Sequence, residues 1–259
     1  MKIIKADNYS ELCRTAAKII IEKVTHADKI NLGLATGSTP IGLYCFLVDD
    51  HLRNHTSYHH VKTFNLDEYV GLHPVDRNSY HYYMREHLFH HLDLLPENIY
   101  LPNGISLDLD AECEQYESLI VNQGGIELQL LGLGRNGHIG FNEPGTSFQS
   151  KTHVVALDNS TRKANSRFFD SIEQVPQHAI TMGMETIFSS KEILLLVSGE
   201  GKAGALQRLL EGEILEEFPA SILKKHPNIT VIADNAAIGS NVHRDGSTFL
   251  VACDPESRQ

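Results

Sequence analysis

Short apolar runs alternate along this chain with longer stretches in which apolar residues return every three or four positions. The runs at residues 30–35, 61–65, 99–101, 128–133, 154–157, 179–182, 193–197 and 230–233 predict strands. Several are almost wholly apolar, as strands covered on both faces should be. A further strand-like run opens the chain at Met1-Lys2-Ile3-Ile4. The spacing predicts helices at about 10–24, 40–52, 79–92, 110–122, 161–169 and 201–212; in the first, Leu12, Ala16, Ile19, Ile20 and Val24 recur at helical spacing. Strands alternating with helices in this way point to an α/β fold, a mostly parallel open sheet with helices on both faces. No repeat or linker divides the chain, so residues 1–234 are expected to form one domain. From Asn235 onward neither period holds, and 235–259 reads as an irregular tail.

Composition then narrows the partners. With 259 residues, 41% of them hydrophobic and 21% charged, the chain can bury a sizeable core. Its formal net charge is −11, from 22 basic and 33 acidic residues, and no basic run exceeds Lys224-Lys225. Nucleic acids and anionic membranes need a positive footprint, so neither is an expected partner. Cys13, Cys45, Cys113 and Cys253 are widely spaced, with no C-x-x-C pair, as in a reduced, cytoplasmic protein. No apolar stretch approaches the length of a membrane span, and no signal-peptide core follows Met1.

The candidate chemistry sits where predicted strands end, which is where open α/β sheets bind ligands. After the 128–133 run come Gly134-Arg-Asn-Gly-His-Ile-Gly-Phe-Asn-Glu-Pro144, a glycine-rich loop carrying His138 and Glu143. Both side chains can exchange protons near neutral pH when their surroundings tune them. After the 30–35 run, Thr36-Gly-Ser-Thr-Pro40 leads into a helix. Loose N–H groups and hydroxyls at such a junction can hold a phosphate, although Ser38 or Thr39 could equally serve as a helix cap. After the 61–65 run stand two adjacent acids, Asp67 and Glu68; only one can readily face a cleft, as a general base, and a solvated strand end is the other reading. In the histidine-rich helix at 80–92, His87 and His91 are spaced to chelate a metal, but they flank a stripe of Met84, Leu88 and Leu92 and read better as solvated residues.

Together these stretches resemble the glucosamine-6-phosphate deaminase family. The resemblance rests on Thr36-Gly-Ser-Thr-Pro40, Phe64-Asn-Leu-Asp-Glu-Tyr-Val-Gly71 and the Gly134–Pro144 loop, and it continues through Thr161-Arg-Lys-Ala-Asn-Ser-Arg-Phe-Phe169 and Ala179-Ile-Thr-Met-Gly183. It implies a modified Rossmann-like sheet and conversion of glucosamine 6-phosphate and water into fructose 6-phosphate and ammonia, with no organic cofactor and no metal. It further implies that Asp67 carries the C2 proton to C1, and that His138 assists ring opening with Glu143 orienting it. Gly37, Ser38 and Thr39 would hold the phosphate, joined by Arg167 and Lys202. The expected partner is the sugar phosphate alone, bound by a monomer or small homo-oligomer.

Two features depart from common members of that family. Many have aspartate where this chain has Asn136, which can orient His138 but cannot supply a charge to stabilise imidazolium. Basic residues that help larger hexameric members bind N-acetylglucosamine 6-phosphate are replaced here by residues such as His153 and Val155, so strong activation by that ligand is not expected. A 6-phosphogluconolactonase shares the Gly132-Leu-Gly-Arg-Asn-Gly-His138 pattern but accounts less well for Asp67-Glu68-Tyr69 and Phe141-Asn-Glu-Pro144. A sugar-phosphate sensor would need a DNA-binding segment, for which about 30 residues before the first long apolar run leave little room.

Overall fold

A computed structural model describes residues 1–166, 169–239 and 249–251. In chain order the elements are β1 (Lys2–Ala6), α1 (Tyr9–His26), β2 (Ile30–Leu34), α2 (Ile41–Asn54), β3 (Val61–Asn65), β4 (Asp67–Tyr69), α3 (Tyr80–His87), β5 (Ile99–Tyr100), α4 (Leu109–Asn122) and β6 (Leu128–Gly132). They continue with β7 (His153–Ala156), α5 (Asn159–Asn165), β8 (His178–Thr181), α6 (Met184–Phe188), β9 (Glu192–Val197), α7 (Ala203–Glu211), β10 (Ile229–Asp234), α8 (Asn235–Ile238) and β11 (Phe249–Val251). Eight strands form one parallel sheet in the order β11-β1-β10-β9-β6-β2-β3-β5. Its central register sets Leu32 against Thr63 and Leu131 against Leu195. β2 and β9 are buried along most or all of their length, which is why their sequences are nearly continuous apolar runs.

The helices follow from caps and stripes. Asn8 accepts the Glu11 N–H to start α1, and Leu12, Cys13, Ala16, Ala17, Ile20 and Val24 form its buried face. Each Leu, Ile or Val there contributes about 1.5–3 kcal/mol of burial. α3 is shorter than the periodicity predicts. It stops at His87 because Leu88 leaves the helical region (φ −143°), and a separate 3₁₀ turn, Phe89–His91, follows. His87 and His91 are therefore not on one helix face, and the described residues contain no cluster suited to a metal ion. Asn235–Ile238 is helical rather than irregular, since Asp234 caps it by accepting the Ala237 N–H. Phe249–Val251 pairs in parallel with β1. No described helix is long and apolar enough to cross a membrane.

A second, three-stranded antiparallel sheet, β4-β8-β7, stands beside the first. The residues at 154–157 and 179–182, expected as strands, belong to this smaller sheet. The joint between the sheets is Leu66. Its N–H donates to the Leu34 carbonyl in the main sheet (3.0 Å), and its carbonyl accepts the Met182 N–H at the end of β8 (2.6 Å).

Candidate active site

Four neighbouring strands, β9, β6, β2 and β3, end on the same edge and carry nearly all the candidate residues. Beyond β2, Gly37 adopts a φ of +93°, a left-handed backbone that favours glycine, and so turns the chain into α2. The N–H groups of Gly42 and Leu43 in the first turn of α2 are met by the Tyr9 hydroxyl and the Cys13 thiol of α1. The N-cap position of α2 is Pro40, with no side-chain cap, so neither Ser38 nor Thr39 stands at the capping position the sequence allowed.

Beyond β3, the adjacent acids point apart, as successive residues of a strand must. Glu68 is 1% exposed and fully engaged. Its carboxylate accepts N–H groups from Tyr69 (2.8 Å), Tyr80 (3.0 Å) and His81 (2.9 Å), and His81 Nδ1 lies 2.7 Å away. It closes the start of α3, where a carboxylate also suits the helix dipole. Asp67 is 5% exposed and accepts no hydrogen bond from the described residues. Burial, with the Glu68 charge adding to it, pushes its carboxyl up to about 8.

Beyond β6, the polar side chains form a relay. His138 Nδ1 lies 2.7 Å from Asn136 Oδ1, Asn136 Nδ2 donates to Glu143 Oε2 (2.8 Å), and the Thr161 hydroxyl from α5 donates to Glu143 Oε1. Asn136 Oδ1 also accepts the His138 backbone N–H (3.2 Å). Since the asparagine amide donates to the carboxylate, its oxygen faces the imidazole, and this assigns the proton to Nδ1 and leaves Nε2 as the base. Burial holds His138 below its ordinary value; Glu143, 3.7 Å from Nδ1, opposes this, and Lys202 adds to it.

The loop of the relay packs directly against Asp67. Gly140 has a φ of +58°, and a Cβ there would stand 2.9 Å from Thr181 Oγ1 and 3.3 Å from Asp67 Oδ2. Only glycine lets the backbone pass so close to the acid. Phe141 from the same loop packs tilted against Tyr69 (ring centroids 5.5 Å) and stacks on Tyr80 (6.0 Å), an aromatic layer beside Asp67. Lys202 ends the short 3₁₀ turn after β9 and is close enough to lower the His138 pKa. Arg167 lies outside the described residues.

Sequence reasoning quoted Thr161 without giving it a role and left Glu68 without one. The alternation of a strand foretold that Glu68 would turn away from Asp67, but its partners, the N–H groups of residues 80 and 81, are twelve or more positions distant. Asn65, fully buried with neither side-chain amide atom finding a partner among the described residues, was also missed. An asparagine ending an apolar strand was the available signal.

Known proteins resemble this chain over most of its length. The model of a family described as glucosamine-6-phosphate isomerases/6-phosphogluconolactonase matches residues 5–232. A glucosamine-6-phosphate deaminase of Oceanobacillus iheyensis is 58% identical over 238 residues, covering 92% of this chain and 95% of its own. A solved structure of a monomeric glucosamine-6-phosphate deaminase, 51% identical, superposes with a TM-score of 0.91 over 92% of this chain and 99% of that one. The 6-phosphogluconolactonase of Trypanosoma cruzi superposes at 0.74 over 94% of this chain and 97% of that one; at 20% identity this likeness shows the shared fold alone.

Proposed function

The chain belongs to the glucosamine-6-phosphate isomerase/6-phosphogluconolactonase family, and from that premise we propose that it converts glucosamine 6-phosphate and water into fructose 6-phosphate and ammonia. His138, neutral at rest, takes the anomeric hydroxyl proton at Nε2 and returns it to the ring oxygen, which opens the pyranose. Glu143, through Asn136, holds the imidazole in the tautomer this needs. Asp67 removes the proton from C2 and delivers it to C1, while the aldehyde oxygen takes up a proton given up by the C2 ammonium, leaving a hydroxyl at C1 and an iminium at C2. Water adds there, ammonia departs, and the C2 ketone of fructose 6-phosphate remains. The loop at Gly37, Ser38 and Thr39 receives the phosphate, with Lys202 and Arg167 adding charge.

The observation that carries this reading is the contact of Asp67 with Gly140. A buried, proton-holding carboxylate lies against the loop that presents the oriented imidazole. Lactone hydrolysis requires no group that carries a proton between adjacent carbons, whereas this reaction does. The acid also works in a site that receives a C2 ammonium. That cation lowers the pKa of a neighbouring carboxyl and so ionises the base when substrate binds.

The test is a coupled assay of fructose 6-phosphate and ammonia release from glucosamine 6-phosphate, wild type beside Asp67→Asn. Turnover in the wild type and a loss of at least about 10³-fold in the variant are expected. An inert wild type that instead opens 6-phosphogluconolactone would overturn the assignment.

A further inference from the structure

The loop assigned to the phosphate is held from behind by tyrosines that take no part in the reaction above. The Tyr83 hydroxyl, from α3, donates to the Gly37 carbonyl (2.6 Å). The Tyr9 hydroxyl, from α1, shares its proton between the carbonyls of Ser38 (3.1 Å) and Thr39 (3.0 Å), and accepts the Gly42 N–H (3.0 Å). The Tyr44 hydroxyl, from α2, donates to the Ala35 carbonyl just before the loop (2.5 Å). Four carbonyls of residues 35–39 are thus tied down by three side chains from three different helices.

In a trans peptide the C=O of one residue and the N–H of the next point in opposite directions. Fastening the Gly37 and Ser38 carbonyls to Tyr83 and Tyr9 therefore aims the Ser38 and Thr39 amides away from those tyrosines. It also turns carbonyl oxygens, which repel an anion, to the rear. The phenols are dependable donors. Burial pushes Tyr9 up to about 12 and Tyr83 higher still, so both keep their protons throughout the working range. Without these ties a loop containing Gly37 would have to be ordered by the ligand at the moment of binding.

We propose that Tyr9 and Tyr83 are positioning residues that preorganise the 37–39 loop as a phosphate cradle, and so set affinity for the phosphate group while leaving the chemistry to Asp67 and His138. This rests on the function proposed above for its choice of ligand. Tyr9 and Tyr83 lie on the far side of the loop's carbonyls, so neither is expected to touch the sugar.

Tyr9→Phe and Tyr83→Phe each remove one oxygen and keep the ring. KM for glucosamine 6-phosphate and the inhibition constant of inorganic phosphate should rise together, each by roughly 5–20-fold for the loss of hydrogen bonds that hold a charged ligand's site. The kcat should stay within about threefold. A fall in kcat with KM and phosphate inhibition unchanged, or no change in any of them, would overturn the proposal. Inorganic phosphate binding measured by calorimetry separates the two readings. If the wild type does not deaminate but binds phosphate, and the variants bind it more weakly, the cradle stands and the reaction assignment falls. If the wild type deaminates and both variants match it, the reverse holds. Tyr9 is part-exposed, so Tyr9→Phe carries the test even if Tyr83→Phe is poorly folded.

Discussion

At the end of β6 the polar groups of Asn136, His138 and Glu143 are linked into one relay, with Thr161 closing its far end, whereas at the end of β3 Asp67 is buried without a hydrogen bond from any described residue. The relay fixes orientation: each partner dictates the next, so that the imidazole presents Nε2 as its unprotonated nitrogen. Asp67 is placed by the backbone, through Leu66 and the pairing of β4 with β8, and its carboxylate accepts no hydrogen bond from the described residues. A carboxylate that accepts strong hydrogen bonds is a weaker base than one that accepts none. Keeping Asp67 bare preserves its basicity. The cost falls on stability, the usual exchange at a site that must react.

After the loss expected for Asp67→Asn, the largest effect from breaking this contrast is at the imidazole itself. His138→Gln should lower kcat by about 10²–10³-fold, because a glutamine cannot shuttle a proton; steady-state kinetics checks it. Retained turnover would transfer ring opening to solvent or another group.

Next comes stability. Asp67 binds its proton more tightly folded than unfolded, so between its ordinary value of 3.8 and about 8 the native state holds a proton that the unfolded state has lost, and stability falls as pH rises through that window. Asp67→Asn should therefore be more stable than the wild type, by roughly 2–4 kcal/mol more at pH 9 than at pH 5 in denaturant unfolding. A gain independent of pH would show that the charge is not its source.

Smaller effects should sharpen the relay. Glu143→Gln removes the charge that props up the imidazole, so His138 should titrate lower still, with kcat reduced about tenfold. Asn136→Asp acts in the opposite direction. A carboxylate placed 2.7 Å from Nδ1 should raise the His138 pKa by about one unit, visible in imidazole NMR and in the limb of the rate profile that His138 controls. An unmoved resonance would mean that the new acid is itself protonated.

Much of the frame was legible in the sequence because the main strands are buried on both faces and so are written as unbroken apolar runs. β3 falls at the expected residues, and β2 and β6 within one residue of theirs. β4 was not legible. Three residues, Asp67-Glu68-Tyr69, cannot display an alternation, and they are a strand only because β8 offers an edge more than a hundred positions later. The end of α3 was misjudged for a related reason. The apolar stripe of Met84, Leu88 and Leu92 continues past the point where the backbone turns out of the helix at Leu88, since a 3₁₀ turn can bury the same side chains.

What the sequence alone determined was the alternation of strands and helices and the candidate loops at the strand ends, with Asp67, Asn136, His138 and Glu143 as candidate residues, because hydrophobic period, glycine and residue type are local properties. Which acid of the Asp67–Glu68 pair stays bare, which nitrogen of His138 carries the proton, and which face of the 37–39 loop is tied down were decided only in three dimensions. Hydrogen-bond partners and desolvation come from residues far apart along the chain, and these, rather than the residue's own chemistry, set what a buried polar group can do.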